Sequence, residues 1–299
     1  MSRFRPDKDQ KVLTMNRVVL RRIVCAVDLS DRSVASLKRA LQLARLHDGE
    51  LFVVHVAEQR LASIESARRT TDAFSALRPH LDREPLAPPV RWIVAHGNPA
   101  SEVARFIRRM NADLAVVGAA LPRPSAGVIG AVAHAIVRTT TCPVLVIPPA
   151  FDNNASPKPY REILCGVSSG LSTATLHYAL SLAQEFESRL TILNVEVDHV
   201  PGNDDAWVEA HIDGLRTEIP GGARNWCVID ELVTSGEPAQ EVVKATQRLR
   251  SDLVVVGSTG AQGSEGGLGA AALGTLMLTD AEVLVVPAPG TAREIPMAA

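Results

Sequence analysis

The chain repeats itself once, at a constant spacing. Gly97-Asn98-Pro99-Ala100-Ser101-Glu102-Val103 returns as Gly236-Glu237-Pro238-Ala239-Gln240-Glu241-Val242. Asp113-Leu114-Ala115-Val116-Val117-Gly118 returns as Asp252-Leu253-Val254-Val255-Val256-Gly257, and Gly130-Ala131 as Gly269-Ala270. The glycine pairs 97 and 236, 118 and 257, 130 and 269 all lie 139 residues apart. A unit of that length can bury its own core, so the pattern is a duplicated domain and not a solenoid repeat.

A chain of 299 residues suits two such domains. The sequence divides into a basic tail at 1–20, a first domain at 21–149, a linker at 150–160, a second domain at 161–288 and a C-terminal tail at 289–299. The linker segment holds Asn153-Asn154, Ser156, Pro157 and Pro159. The net charge of −2 gives no electrostatic case for nucleic acid or an anionic membrane. The N-terminal stretch lacks the apolar core of a signal peptide, and no run approaches the roughly 20 apolar residues of a membrane helix. These features point to a cytoplasmic protein with neither nucleic acid nor membrane among its partners. Cys25, Cys142, Cys165 and Cys227 form no Cys-x-x-Cys pair. Cys25 and Cys165 sit at equivalent places inside apolar runs and read as core, not as zinc ligands. His55 likewise reads as packing.

Short β-branched runs alternate with helical stretches in both copies. The first copy predicts strands at Ile23–Val27, Leu51–Val56, Val90–Val94, Leu114–Val117 and Val144–Ile147. Helices are expected at Ser33–Leu46, Glu58–Leu81, Ala100–Met110 and Gly130–Thr139. The second copy predicts strands at Ile163–Val167, Leu190–Val195, Trp226–Val233, Leu253–Val256 and Val283–Val286, with helices at Thr173–Glu187, Asp204–Glu218, Pro238–Leu249 and Gly269–Thr279. Continuous apolar strands between helices predict an α/β fold: two doubly wound parallel five-stranded sheets related by internal duplication. Ligands of such sheets bind beyond the carboxyl ends of the strands. The second copy carries a glycine-rich loop there, Gly257-Ser258-Thr259-Gly260-Ala261-Gln262-Gly263-Ser264-Glu265-Gly266-Gly267-Leu268-Gly269-Ala270. Such a loop, leading into a helix N-terminus, can present amides to a phosphate. Composition alone leaves a surface loop as an equal reading.

The order of these motifs resembles the universal stress protein family in its tandem two-domain form. The carrying residues are Ala26-Val27-Asp28, the turns at Gly97 and Gly236, the strands opening at Asp113 and Asp252, and Cys142-Pro143-Val144-Leu145-Val146. The resemblance implies tandem adenine-nucleotide-alpha-hydrolase-like domains and a regulatory part in a stress response. It also implies ATP, with Mg²⁺, as the ligand of those members that keep an acid after the first strand and a glycine loop of the form Gly-x2-Gly-x9-Gly-Ser/Thr. Members without that loop bind no nucleotide. The last strand of each domain commonly forms the family's dimer contact. Val144–Ile147 and Val283–Val286 are therefore expected to pair within the chain, with a homodimer as a further arrangement.

Neither copy is complete. The first keeps Asp28, Gly118 and Gly130. Leu121 replaces its second loop glycine, Pro122, Arg123 and Pro124 follow, and Ala131 lacks a hydroxyl. The second keeps Gly257, Gly260 and Gly269, but Ser168 replaces the acid, the last spacer is eight residues, and Ala270 lacks the hydroxyl. A register through Gly274-Thr275 would restore the hydroxyl but leave too little chain for the last helix. The candidate nucleotide residues are thus Gly257, Ser258, Thr259, Gly260, Gly269, Ala270 and Val195 in the second copy, and Asp28, Gly118 and Gly130 in the first. The second copy is favoured and no catalytic or metal-binding residue is assigned. Asp28 has an alternative role in capping the helix that follows it. A nucleotide-free dimerisation scaffold and a weak ATP hydrolase are the competing readings.

Two look-alike motifs fail on context. Gly166-Val167-Ser168-Ser169-Gly170 spells a nucleophile elbow, but His177, His199 and His211 sit in no recognisable triad setting. Gly267-Leu268-Gly269-Ala270-Ala271-Ala272 lies too far beyond its strand for a dinucleotide turn.

Overall fold

A computed structural model describes residues 17–30, 33–57, 68, 71–72, 74–75, 77–79, 88–119, 130–148, 156–167, 173–197, 205–258 and 268–288. The first half runs β1 (Arg22–Val27), α1 (Ser33–Leu46), β2 (Glu50–Ala57), β3 (Val90–His96), α2 (Pro99–Met110), β4 (Leu114–Gly118), α3 (Ala131–Thr139) and β5 (Val144–Ile147). The second runs β6 (Glu162–Val167), α4 (Thr173–Phe186), β7 (Arg189–Glu196), α5 (Asp205–Glu218), β8 (Ile229–Ser235), α6 (Pro238–Leu249), β9 (Leu253–Gly257), α7 (Ala270–Leu278) and β10 (Glu282–Val286). Phe74, Ser75 and Leu77, between β2 and β3, are helical, and the rest of the helix expected at 58–81 falls largely outside the described residues.

Each half is a parallel sheet, ordered β3-β2-β1-β4-β5 and β10-β9-β6-β7-β8. The two sheets meet edge to edge, β5 against β10 and antiparallel, with Val144, Leu145 and Val146 opposite Val285, Leu284 and Val283. The result is one ten-stranded sheet. Its strands alternate their side chains between two cores. Ile23, Cys25, Leu253 and Val255 face α1 and α4, whereas Val24, Val254 and Val256 face α2, α3, α6 and α7. Both cores run through both halves.

The landmark motifs owe much of their repetition to the fold. Gly97 and Gly236 have φ of +132° and +143°, which favours glycine, and their amides bond Ala57 and Glu196 carbonyls. The next residue caps a helix: Asn98 accepts from Ser101 N at 3.1 Å, and Glu237 accepts from Ala239 N at 3.2 Å and Gln240 N at 2.8 Å. Asp113 ties the start of β4 to β1 by accepting from Arg22 N at 2.8 Å, and Asp252 repeats this with Arg161 N at 2.7 Å. The copies do drift once. Ile23 and Ile163 open equivalent strand pairings 140 residues apart, whereas Leu51 and Leu190 are 139 apart. Leu37-Lys38-Arg39-Ala40-Leu41 and Leu176-His177-Tyr178-Ala179-Leu180 are already at 139, so the second copy is one residue shorter between strand and helix.

One expected strand begins late. Trp226 to Val228 precede β8, because residues 223–225 form a 3₁₀ turn whose Ala223 carbonyl accepts the amides of Trp226 and Cys227. Pairing starts only at Ile229, opposite Leu190. Strand propensity at Trp226 and Cys227 thus yields to a local turn.

The two halves also join through side chains. Arg39 is 6% exposed and donates from Nε at 3.0 Å and Nη2 at 2.9 Å to Glu282 Oε1, and from Nη1 to the Lys158 carbonyl at 2.9 Å and to Gln42. Its guanidinium lies 4.3 Å from the Tyr160 ring centroid, and the Tyr160 hydroxyl donates to the other Glu282 oxygen. Burial opposes the Arg39 charge, but Tyr160, Glu282 and Asp252 outweigh it and raise the pKa, while burial first and Glu282 second push the Tyr160 hydroxyl well up.

The thiols test how continuous these cores are. Cys25, Cys142 and Cys165 are buried, and burial pushes each up to about 12. Cys227 is half-buried. A thiol reagent at neutral pH is expected to label Cys227 alone in the folded chain and all four in denaturant. Rapid native labelling of a second thiol would contradict a closed core.

Candidate functional site

At the carboxyl ends of β1, β2 and β4, the first half holds a cavity of about 460 Å³. Asp28, Ser33, His55, Pro99, Gly118 and Val132 are among its lining residues. The neighbouring strands β1 and β4 feed α1 and α3 on opposite faces of the sheet, which leaves a crevice at their carboxyl ends. Asp28 and Gly118 are brought together, and the α3 residues Val132 and Ala133 close the cavity, one turn or less beyond Gly130.

Asp28 holds its own turn. Its Oδ1 accepts from Ser30 N at 3.0 Å, Ser30 Oγ at 2.6 Å and Ser33 Oγ at 2.6 Å, while its amide donates to Ser33 Oγ at 3.0 Å. Leu29 between them has φ of +61°. The carboxylate is therefore a fastening of the β1–α1 turn and is exposed at the rim of the cavity. By sequence Ser33 competes with Ser30 and Asp31 to cap the following helix and is not singled out as a site residue, although its five-residue spacing from Asp28 across a loop is the signal that could have found it. His55, read as packing, does pack edge-on against Phe74, but its Nδ1 also lies 3.1 Å from the Val27 carbonyl and it lines the cavity.

In the second half the loop from β9 to α7 is drawn in at its ends. The Gly269 amide donates to the Ser258 carbonyl at 2.6 Å, the Ser258 amide to Val286 O at 2.7 Å, and Ala288 N to Ser258 Oγ at 3.1 Å. Gly257, Ser258, Gly269 and Ala270 therefore lie together. Val195 is buried near the end of β7, on the far side of β6 from β9. Thr259 and Gly260 lie outside the described residues, as do Ser168 and the first-half residues Leu121, Pro122, Arg123 and Pro124. Helices α3 and α7 start at Gly130 and Gly269 with no side-chain cap, unlike α2 and α6. Among the described residues no cap side chain accepts their first-turn amides, which suits an anion.

Gly274 and Thr275 lie within α7. Thr275 is fully buried, and a Cβ at Gly274 would stand 2.4 Å from Ala239 Cβ. That glycine serves close packing of α7 on α6, so the Gly274-Thr275 pair is not placed to meet phosphates. His211 Nδ1 lies 2.8 Å from the Trp207 carbonyl, to which it can only donate, and its Nε2 stands 4.0 Å from Glu196 Oε1. Among the described residues no group of three His, Cys, Asp or Glu side chains could hold a metal ion, and no helix is long and apolar enough to cross a membrane.

Comparison with known proteins fits this geometry. Residues 20–148 and 159–287 each match the profile described as the Universal stress protein family. Universal stress protein YxiE of Bacillus subtilis is 25% identical over 147 residues, covering 42% of this chain and 97% of that protein. A universal stress protein of Methanocaldococcus jannaschii is 27% identical over 138 residues, covering 42% of this chain and 81% of that protein. Among solved structures, a universal stress protein from Archaeoglobus fulgidus superimposes with a TM-score of 0.68 at 16% identity, covering 89% of this chain and 98% of the other. At that identity the likeness is one of fold.

Proposed function

The chain belongs to the universal stress protein family, as a tandem of two domains, and on that premise we propose that it serves a cytoplasmic stress response by binding an adenine nucleotide. The ligand is ATP with its Mg²⁺, and its phosphates sit in the second half. The observation that carries this reading is the start of α7. Gly269 opens that helix without a side-chain cap, at the end of a loop that keeps three of the expected glycines. The amides of the first helical turn and of the Gly257–Gly260 stretch would hold the phosphates, and the end of β7 at Val195 would border the base. When bound, Mg²⁺ supplies charge neutralisation between phosphates. No group of this chain is assigned to cleaving them, and the role is regulatory.

A second reading has its own observation. The first-half cavity of about 460 Å³ has Asp28 at its rim and could take the nucleoside part of a ligand. Leu121 and the prolines after it offer poor phosphate contacts, because they add bulk and remove amide donors. We also propose the pairing of β5 with β10 as the working arrangement of the two halves in solution, supported by their register and by the shared cores.

The direct test is to denature the purified protein and chromatograph the supernatant for adenine nucleotide, then to melt fresh protein with and without Mg-ATP. Bound nucleotide, or a melting temperature that rises with ATP concentration, is the expected result. No nucleotide and an unchanged melting temperature at millimolar Mg-ATP would favour the ligand-free scaffold.

A further inference from the structure

The junction between the halves is chemically lopsided, although the sheet that carries it has near two-fold symmetry. On one side, first-half Arg39 reaches Glu282, the face of Tyr160 and the Lys158 carbonyl. On the other side, the same helix position is Tyr178, and the position of Glu282 is Pro143. The position of Tyr160, taken at the 140-residue offset of β1 and β6, is Leu20. Tyr178, Leu20, Val18 and Leu145 lie with Tyr160, Leu284 and His47 around a residual void of about 20 Å³. His47 Nε2 stands 3.5 Å from Glu185, and burial lowers the His47 pKa to about 4, so that side has no counterpart of the Arg39–Glu282 charge pair. The flanking polar contacts differ as well. Val18 N donates to Ser181 Oγ at 3.0 Å, whereas Gln42, at the position of Ser181, donates to the Pro157 carbonyl at 3.4 Å.

We infer that the two halves are built to join each other and to refuse a second copy of themselves. The first half supplies a buried guanidinium, and only the second half, with the linker segment that leads into it, supplies the carboxylate, aromatic face and carbonyl that receive it. Two first halves joined through β5 would bury two Arg39 side chains against Pro143 and Leu20, with no carboxylate. Two second halves joined through β10 would leave each Glu282 facing Tyr178 in place of a cation. Unlike halves alone give Arg39 its carboxylate and Glu282 its cation, and this gives specificity by penalising the wrong pairs. The partner that fits this surface is therefore the complementary half, from the same chain or from a second copy by exchange.

This inference rests on the edge-to-edge pairing proposed above and is independent of nucleotide. It is tested on the full-length chain by amide hydrogen exchange and light scattering. Arg39→Glu and Glu282→Arg each place like charges across the junction, so each alone should exchange its facing β5 and β10 amides at least tenfold faster than wild type. The β2 and β7 amides should keep their rates. Mixing the two variants offers opposite charges at both junctions of an exchanged pair, and a 1:1 dimer with restored protection is expected. Wild-type protection in both single variants, or a mixture that stays unprotected, would overturn the inference. Should a charge reversal fail to fold, Arg39→Met is expected to give the same strand-selective acceleration, and unchanged exchange in that variant would overturn it equally. Wild-type protein with no protection at β5 and β10 would instead remove the pairing itself.

Discussion

Arg39→Ala is expected to destabilise the full-length chain by about 3–5 kcal/mol in chemical denaturation. The substitution removes one partner of a buried pair and strands the other. Glu282 would keep the Tyr160 hydroxyl but lose both guanidinium hydrogen bonds in a site where its side chain is 16% exposed and that of Arg39 is 7%. Burial makes the difference. Arg189 bonds Asp230 at 2.7 Å, but those side chains are 48% and 51% exposed, so Arg189→Ala should cost far less than Arg39→Ala. Equal effects at the two sites would mean that the Arg39 contact is solvated and carries little. A Glu282→Gln, Arg39→Met double variant should recover much of the loss, because it leaves no charge unpaired.

Gly260→Val is expected to weaken Mg-ATP binding by at least about 100-fold, or roughly 2.7 kcal/mol. A phosphate held by main-chain amides needs the chain within hydrogen-bond reach, and a β-branched side chain both blocks that approach and excludes positive φ. Asp28→Ala should leave ATP affinity nearly unchanged. Its main effect should be a modest loss of stability, because Asp28 Oδ1 holds Ser30 and Ser33 in the β1–α1 turn. Equilibrium titration of both variants separates the second-half reading from the first-half one.

The sheet was legible in the sequence because most of its inner strands are buried on both faces and so appear as apolar runs, and because the duplication repeated them, whereas the edge strands β3 and β8 are only partly buried. The turns at Gly97 and Gly236 were legible too, since positive φ followed by a cap and a proline leaves a local signature. Trp226 and Cys227 misled for the opposite reason: a 3₁₀ turn took their amides, and strand propensity says nothing of that competition. Of the candidate site, the glycine positions and the start of α7 near Gly269 could be read from spacing. His55 and Val132 around the first-half cavity could not, because a strand end and a helix start far apart in the chain bring them together only in space. Arg39 and Glu282 are 243 residues apart, and neither belongs to a motif. An arginine on the buried side of α1, at a position where the other copy has Tyr178, was the one hint available.

The most direct test is calorimetric titration of the full-length chain with Mg-ATP, alongside Gly260→Val and Asp28→Ala. One nucleotide bound per chain, lost in Gly260→Val and kept in Asp28→Ala, is the predicted result. No binding by the wild-type chain, or binding that survives Gly260→Val and disappears in Asp28→Ala, would contradict it.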